Sequence, residues 1–248
     1  MRLITYNIHK GVGGIDRRYE LERICAVLAE HQADVLCLQE VTRHARRTRY
    51  DDQPTILAKR FGAEHTSYQM NVHYRSGGYG NLILSRWPIE RRHEISLRLR
   101  KRKPRGAQLA VIDTPSGPLH LANWHLGLRG GERIWQADRL LSLPLFQEWA
   151  RFPTLVVGDF NDGRNRLASR LFAAHEFEQA TGVTREFRTF PAFLPMLTLD
   201  RVFHRGAITI RRVRVLRGAL ARRASDHLPL LLEFELAASG SNGDSRLA

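Results

Sequence analysis

The 248-residue sequence contains only two cysteines and no long apolar run, and each absence excludes a class of protein. Cys25 and Cys37 lie in apolar stretches without CxxC or Cys/His spacing, so they predict buried thiols rather than a disulfide or a zinc site. No apolar segment reaches the roughly 20 residues that span a bilayer. The N-terminus lacks a basic segment followed by an apolar one, which argues against a secretory signal and predicts a cytoplasmic location.

Lysine is also scarce, although the chain is strongly basic. Lys and Arg together number 39 against 25 Asp and Glu, a net charge of +14, and the only lysines are Lys10, Lys59, Lys101 and Lys103. Such a surplus attracts polyanions such as nucleic acid or an anionic lipid surface. An arginine-rich, Ala/Leu-rich composition also follows from codon bias, so charge alone leaves the two explanations equally weighted.

The hydrophobic pattern predicts one large domain over residues 1–236, followed by a disordered tail at 237–248 that is rich in Gly and Ser. Short alternating or apolar runs predict many strands. The predicted strands are Arg2–Ile8, Asp34–Leu38, Asn81–Ser85, Gln108–Asp113, Leu119–His125, Thr154–Gly158, Leu199–Phe203, Ile208–Leu216 and Leu228–Leu236.

Helical spacing of apolar residues is confined to a few segments. It predicts helices around Leu21–Leu28, Pro54–Phe61, Ile134–Leu141 and Leu167–Ala174, with Pro144 kinking or ending the third. A chain with many strands and few helices buries its apolar faces well when helices pack on two face-to-face sheets.

Polar residues that suit catalysis stand where the predicted strands begin or end, which is where α/β folds place reactive groups. Taken singly, each has a structural explanation: an Asx-rich turn, a helix N-cap or a surface histidine. The residues in question are Asn7, Glu40, His125, Asp159, Asn161, Asp200, Asp226 and His227.

Taken together, the segments that carry these residues form an ordered set. In chain order they read TYNIH, LQE, GNLILSR, ANWHLGL, GDFN, LDRVF and SDHLPL. This set resembles the endonuclease/exonuclease/phosphatase superfamily, which includes DNase I, AP endonucleases, sphingomyelinases, inositol polyphosphate phosphatases and deadenylases. GDFN and SDHLP are its most specific blocks, and the resemblance extends from Arg2 to about Phe234.

The resemblance implies an α/β fold, a four-layer sandwich of two mixed β-sheets packed face to face with helices outside. It also implies a divalent metal, held chiefly by Glu40 with Asn7 and Asp226. Magnesium suits a site of carboxylate and amide oxygens without cysteine, and Mn²⁺ is the alternative. A cation is needed because the anionic oxygens of a phosphodiester repel nucleophiles.

The same resemblance implies catalytic roles. His227 is the expected essential histidine, and Asp200 the carboxylate that fixes its tautomer. Asp159 is expected to orient the attacking water, although the sequence leaves open whether Asp159 or His227 removes its proton. Asn161 and His125, together with Asn7 of the metal set, are expected to contact the substrate phosphate.

The substrate is less well indicated than the chemistry. AP endonucleases resemble one another in an Asn-x-Tyr-x-Pro-like block where this chain has Asn123-Trp124-His125-Leu126, so the resemblance favours compact bacterial members instead. Three arginine-rich clusters, 43–49, 98–105 and 211–217, suit a phosphate backbone.

We therefore expect a monomeric phosphodiesterase acting on nucleic acid. The alternatives are a hydrolase of phospholipid or sphingomyelin headgroups, a small-molecule phosphatase, and a catalytically idle binding module. The lipid alternative lacks an apolar β-hairpin recognisable in the sequence. The idle module is disfavoured because every site residue is present.

Overall fold

Twelve β-strands form the framework of the protein in a computed structural model that describes residues 1–237. Most are short, and the central strands are buried along nearly their whole length, as expected for sheets that are covered on both faces. In chain order they are β1 (Arg2–Asn7), β2 (Val35–Arg43), β3 (His65–His73), β4 (Gly78–Ser85), β5 (Ile89–Ser96), β6 (Gly106–Thr114), β7 (Gly117–His125), β8 (Thr154–Asp159), β9 (Glu178–Gln179), β10 (Asp200–Arg205), β11 (Ile208–Val215) and β12 (Leu230–Leu236).

The strands form two mixed six-stranded sheets. The first has the order β11-β12-β1-β2-β4-β3 and the second the order β5-β6-β7-β8-β10-β9. Each sheet contains one central parallel pair, β1 with β2 and β7 with β8, while the other neighbours named here run antiparallel. The parallel pairs bring the C-terminal ends of β1, β2, β7 and β8 towards one edge of the sandwich.

Helices cover the outer faces of both sheets. They are α1 (Leu21–Ala29), α2 (Gln53–Phe61), α3 (Gly130–Leu141), α4 (Pro144–Trp149) and α5 (Ala219–Ala224). Apolar residues of α1 and α5 pack with the first sheet, and those of α3 and α4 pack on the second. The result is a four-layer α/β sandwich, as the sequence predicts.

The period-two alternation of β8 shows how the core is divided. Leu155 and Val157 join the core between the sheets, whereas Val156 joins the core between the second sheet and its helices. Burying both faces of a strand in this way requires a continuous apolar run, which is the pattern of LVV in the sequence.

The nine predicted strands and three of the predicted helices are confirmed, with ends displaced by a few residues. Pro144 begins α4 after α3 has ended at Leu141, so the predicted break is correct. The prediction of a helix at 167–174 needs correction: a π-helical turn, Ala168–Phe172, runs into a 3₁₀ turn, Ala173–His175.

Three strands (β3, β5 and β9) and two helices (α4 and α5) were not predicted. β5, with the sequence IERRHEIS, is an edge strand whose side chains are mostly exposed, so its apolar alternation is weak. β3 is polar along much of its length, β9 has two residues, and α5 has six. The predicted tail lies outside the described residues except for Ala237, and within the described part no helix is long and apolar enough to cross a membrane.

Candidate active site

The predicted catalytic residues meet at the edge of the sandwich where the parallel strands end. In the second sheet, His125 pairs with Asp159, and Asp159 pairs with Asp200 across the antiparallel neighbour. In the first sheet, Asn7 ends β1, and His227 lies shortly before β12. The topology therefore brings residues from position 7 to position 227 into one cluster.

Strand alternation aims these side chains into the space between the sheets. Asp159 continues the inward row of Leu155 and Val157 on β8. Asp200 is in the same row as Val202 on β10, which also belongs to the core between the sheets. The period-two pattern of buried apolar residues thus determines where the carboxylates of Asp159 and Asp200 point.

Gly158, directly before Asp159, allows β8 to approach β7 closely. Its φ is +134°, and a Cβ at this position would lie 2.1 Å from the carbonyl oxygen of Trp124. Only glycine adopts this conformation at low cost without displacing the neighbouring strand. The glycine of GDFN therefore positions Asp159 opposite His125.

Glu40 reaches the site through an irregularity in β2. The pairing of β2 with β4 shifts register between Leu38 and Val41, and Glu40 has a φ of +57°. A regular strand would turn Glu40 away from the face occupied by Gln39, which hydrogen-bonds Asn123 of the opposite sheet. The bulge redirects the side chain, a common use of bulges beside active sites.

The carboxylate of Glu40 lies against the ammonium of Lys10 in a buried ion pair. Burial by itself raises the pKa of Glu40, but Lys10 outweighs this effect and the pKa is lowered. Glu40 also lines a narrow crevice with His125, Arg105 and Tyr79. The predicted metal ligand and the second histidine therefore share one surface.

Asp159 is the hub of the polar network. Its Oδ2 accepts a hydrogen bond from the side-chain amide of Asn7 at 3.0 Å and lies 3.2 Å from Nε2 of His125. Its Oδ1 accepts from the backbone N–H of Asn161 at 3.0 Å. The Nε2 of His227 lies 3.8 Å from Oδ2. One buried carboxylate thus faces two imidazoles.

His227 is held by Asp200, as predicted. Its Nδ1 lies 2.8 Å from Oδ2 of Asp200, and both side chains are buried. Burial alone lowers the pKa of His227, but the carboxylates of Asp200 and Asp159 outweigh this effect and raise it to about 10. His227 is therefore a cation at neutral pH, with Nε2 directed towards Asp159.

Asp159 and His125 differ from His227 in their protonation. Burial, followed by the charge of Asp200, raises the pKa of Asp159 to about 6 despite the opposing effect of His227. Burial, reinforced by Arg105, lowers the pKa of His125 well below its ordinary value, so this imidazole is neutral. The site therefore combines one cationic and one neutral imidazole around a carboxylate that can take up a proton.

Asn161 and Asp226 complete the predicted set. Asn161 has a φ of +51°, a conformation that asparagine tolerates, and its side-chain amide donates to the carbonyl of Leu126 at 3.0 Å. Asp226 is half-buried, and its Oδ2 lies 3.8 Å from Nε2 of His9. The hydroxyl of Ser225 donates to the carbonyl oxygen of Asn7 at 2.7 Å and thereby ties the segment 225–227 to the end of β1.

The metal-ligating side chains among the described residues group most closely at Asp159, Asp200 and His227, whose ligand atoms lie within 4.8 Å of one another. Glu40 is outside this triad. The oxygen-rich donor set at the neighbouring strand ends, Glu40 and Asn7, nevertheless suits a hard divalent cation. Oδ1 of Asp200 has no hydrogen-bond partner among the described residues, a further sign that the site is built to bind.

Sequence reasoning did not identify Lys10 or Ser225 as site residues. Lys10 follows the TYNIH block directly, and its rarity in a chain with few lysines is the signal that was available. Arg105 was noticed only as a member of a basic cluster, yet it is buried beside Glu40 and His125. Ser225 is the first residue of the SDHLP block, and its hydroxyl donates a hydrogen bond to the backbone carbonyl of Asn7.

The three arginine-rich clusters have different surroundings. Residues 43–49 include the end of β2 and the loop beyond Glu40, and residues 98–105 form the loop between β5 and β6 at the same edge. The third cluster lies mostly on β11, where Arg211 pairs with Glu235 at 2.6 Å. The first two clusters therefore flank the site, and the third is largely a solvent-exposed strand face.

An exposed apolar loop, which the sequence analysis did not identify, also borders the site. An isolated bridge pairs Phe190 with Leu197, and between them Phe193, Leu194 and Met196 are exposed. The ring centroid of Phe190 lies 5.0 Å from that of His227. The sequence signal was weak because the same residues suit a core.

Comparisons with known proteins agree with this architecture. A model described as the Endonuclease/Exonuclease/phosphatase family matches residues 4–227. "Uncharacterized protein YbhP" of Escherichia coli is 31% identical over 95% of this chain and 96% of its own length.

Two solved structures are similar in fold. The endonuclease/exonuclease/phosphatase from Beutenbergia cavernae has a TM-score of 0.75 and 21% identity, covering 96% of this chain and 72% of that one. The human nocturnin catalytic domain, solved with a bound sulfate anion, has a TM-score of 0.74 and 24% identity, covering 96% and 94%.

Proposed function

This chain belongs to the Endonuclease/Exonuclease/phosphatase family, whose members hydrolyse phosphoester bonds, and we propose that it is itself a metal-dependent phosphodiesterase. The observation that carries the proposal is the buried network in which Asp159 faces both imidazoles while His227 is held by Asp200 at 2.8 Å. Burying such a network costs stability because its polar groups lose their hydration, and buried groups with strongly shifted pKa values are typical of functional sites.

Glu40, Asn7 and Asp226 are the residues that would hold the divalent cation, which we take to be Mg²⁺ or Mn²⁺. When bound, that ion supplies charge neutralisation for the phosphate oxygens. The ion pair of Glu40 with Lys10 supports this role, because the Lys10 ammonium places a positive charge where the divalent cation would bind.

The residues of the chain itself divide the proton chemistry. Asp159, whose pKa is raised towards neutrality, accepts the proton of the attacking water. As the P–O bond to the leaving oxygen breaks, His227, kept cationic by Asp200, donates a hydrogen bond from Nε2 to the charge that develops on the phosphate, and the leaving oxygen takes its proton from solvent. His125 and Asn161 bind nonbridging oxygens, which fixes the phosphate for in-line attack.

Nucleic acid is the substrate that we propose first. The loops at 43–49 and 98–105 flank the site and place arginines where the phosphates of a strand would continue on either side of the scissile one. These charges bind a backbone without reading its sequence. We propose that the enzyme acts as a monomer.

A lipid headgroup is the second candidate, favoured by the exposed apolar loop beside His227. Phe193, Leu194 and Met196 could enter a membrane surface while nearby arginines contact anionic headgroups. This candidate requires activity on vesicles and a dependence on those three side chains.

A chromogenic phosphodiester tests the chemistry without choosing between substrates. Hydrolysis of bis(p-nitrophenyl) phosphate should require added Mg²⁺ or Mn²⁺, stop with EDTA, and fall to background in His227→Ala. The matched control is His73→Ala, since His73 is exposed at the end of β3. Metal-independent turnover, or full activity of His227→Ala, would refute the proposed function.

A further inference from the structure

Beside the proposed metal ligand lies a cavity of about 590 Å³ that has no part in the proposed proton chemistry. Loop residues after β2 and between β3 and β4 form most of its wall. Its charged and aromatic lining consists of Lys10, Arg46, Arg47, Arg75, Tyr50 and Tyr74. A volume of this size is in the range of pockets that hold a small organic ligand.

The cavity neighbours the candidate active site, and contacts of Lys10 and Tyr79 link the two. Lys10 lines the cavity, and its ammonium group contacts Glu40 and lies 4.7 Å from the ring centroid of Tyr79. Tyr79 lines the crevice that contains Glu40 and His125, and its ring lies 5.7 Å from that of Tyr74. A ligand in the cavity would therefore be adjacent to a phosphate at the site.

The charge of the cavity is uncompensated. Arg46, Arg47 and Arg75 form no ion pair with any residue in the described range 1–237, and no acidic side chain lines the cavity. Arg43, at the end of β2, differs from them because it pairs with Asp52 at 3.3 Å. Free guanidinium groups that converge on a cavity suit an anion with several oxygens, such as a phosphate.

The aromatic side chains of the cavity are exposed rather than packed in the core. Tyr50 is 55% exposed and Tyr74 is 47% exposed. The backbone N–H of Tyr74 donates to the carbonyl of Gly77 at 2.9 Å, so Tyr74 belongs to a hydrogen-bonded turn. Exposed rings next to guanidinium groups form a surface on which a flat, electron-rich ring can stack.

We propose that this cavity binds one unpaired nucleotide adjacent to the scissile phosphate, with its base on Tyr74 and Tyr50 and its phosphate on the arginines. The inference rests on the proposed nuclease function and narrows the substrate to single-stranded nucleic acid. A base in a duplex is stacked and paired, so it reaches the cavity only after costly unpairing. A phospholipid headgroup has no aromatic ring to place there.

Binding without turnover tests the proposal directly. A short oligothymidylate, its duplex with oligoadenylate, and a strand of the same length made of abasic spacers are titrated into the protein in EDTA at fixed ionic strength. The wild-type protein should bind the oligothymidylate about tenfold more tightly than either comparison ligand.

Two variants assign the preference to the cavity. Tyr74→Ala should lose about tenfold in affinity for the oligothymidylate and nothing for the abasic strand, whereas Tyr74→Phe, which keeps the ring, should bind like wild type. The double variant R46A/R47A should weaken binding to all three ligands. Its matched control, R212A/R214A, removes the same charge from the exposed face of β11 and should have little effect.

Equal affinity for single strand and duplex, or an unchanged affinity for the oligothymidylate in Tyr74→Ala, would overturn the inference. So would a result in which R46A/R47A loses binding to anionic vesicles and keeps its affinity for oligonucleotides. Hydrolysis of the chromogenic phosphodiester distinguishes a failure of the proposed nucleotide subsite from a failure of the proposed function. If it proceeds while the preference for single strands is absent, the subsite is wrong and the proposed chemistry stands. If it fails while strand binding is normal, the proposed chemistry is wrong.

Discussion

The pair formed by Asp200 and His227 gives the sharpest prediction about mechanism. Asp200→Asn keeps the size of the side chain and its ability to accept a hydrogen bond from Nδ1 of His227, but it removes the negative charge. At the observed separation of 2.8 Å, Coulomb's law with an effective dielectric constant of about 20 gives an attraction of about 6 kcal/mol between unit charges. A neutral hydrogen bond retains about 1 kcal/mol of this.

Part of the lost attraction is recovered, because Asp159 lies 3.8 Å from the other nitrogen of the ring and still favours its cationic form. We therefore expect transition-state stabilisation to fall by about 3 kcal/mol, which lowers kcat about a hundredfold. The pH profile should change as well. Removing the Asp200 charge lowers the pKa of His227 from about 10, so the imidazolium is lost at lower pH and the alkaline limb of activity moves towards neutrality.

The assay is steady-state hydrolysis of bis(p-nitrophenyl) phosphate across a pH series, with circular dichroism to confirm folding. Asp113→Asn is the matched control, because Asp113 is exposed at the far end of β6. If Asp200→Asn keeps kcat within about threefold of wild type, or its alkaline limb does not move, His227 does not act as the charged partner described here.

Three further perturbations probe other parts of the account. Glu40→Gln should weaken Mn²⁺ binding in calorimetry by about tenfold or more, whereas Glu64→Gln, at an exposed position, should not; equal affinities would remove Glu40 from the metal site. Gly158→Ala should destabilise the fold by at least about 2 kcal/mol in urea unfolding, because its Cβ would meet a strand backbone at 2.1 Å, while Gly131→Ala, in an open part of α3, should be neutral or stabilising. Burial lowers the pKa of His120 to about 3, below its ordinary value of 6.5, so the folded state keeps this imidazole neutral while the unfolded state takes up a proton as the pH falls. Stability should therefore drop by about 2 kcal/mol between neutral pH and pH about 5 and drop less in His120→Gln; identical pH dependence in the two proteins would contradict the assignment.

The central strands were predictable because they are apolar on both faces, whereas the four-layer arrangement followed from the resemblance to the superfamily. The runs RLITYNI, DVLCLQE and LVVGD are short, rich in apolar residues and bounded by polar ones, which is typical of buried strands, and they end at residues of the candidate site. The edge strand β5 was not predictable, since its charged side chains face solvent and leave no periodic apolar signal. The π-helical turn at Ala168–Phe172 has a helical composition, and only its tertiary packing determines the wider turn.

The sequence named the candidate site residues that the fold brings together, but their roles stay predictions and their protonation states could not be foreseen. The ordered motifs named Asp159, Asp200 and His227, and alternation along β8 and β10 explains why they converge. The ion pair of Lys10 with Glu40 depends on a bulge in β2 that the sequence does not reveal. Protonation states depend on burial and on charges from distant segments, so only the folded arrangement determines them.

The exposed loop at 193–197 could not be predicted from the sequence for a different reason. Its apolar residues have the composition of a core segment, and the loop projects from the fold only because the Phe190–Leu197 bridge closes a short turn at the surface. Composition cannot distinguish a buried apolar run from an exposed one when the run is short and irregular.

The central claim is that Glu40 and Asn7 bind a divalent cation beside the Asp159 and His227 network. An anomalous difference map from crystals soaked in Mn²⁺ tests this most directly. We predict a peak within bonding distance of the Glu40 carboxylate, with the Lys10 ammonium displaced from it. A peak held by Asp159, Asp200 and His227 alone, or no peak at this edge of the sandwich, would contradict the account.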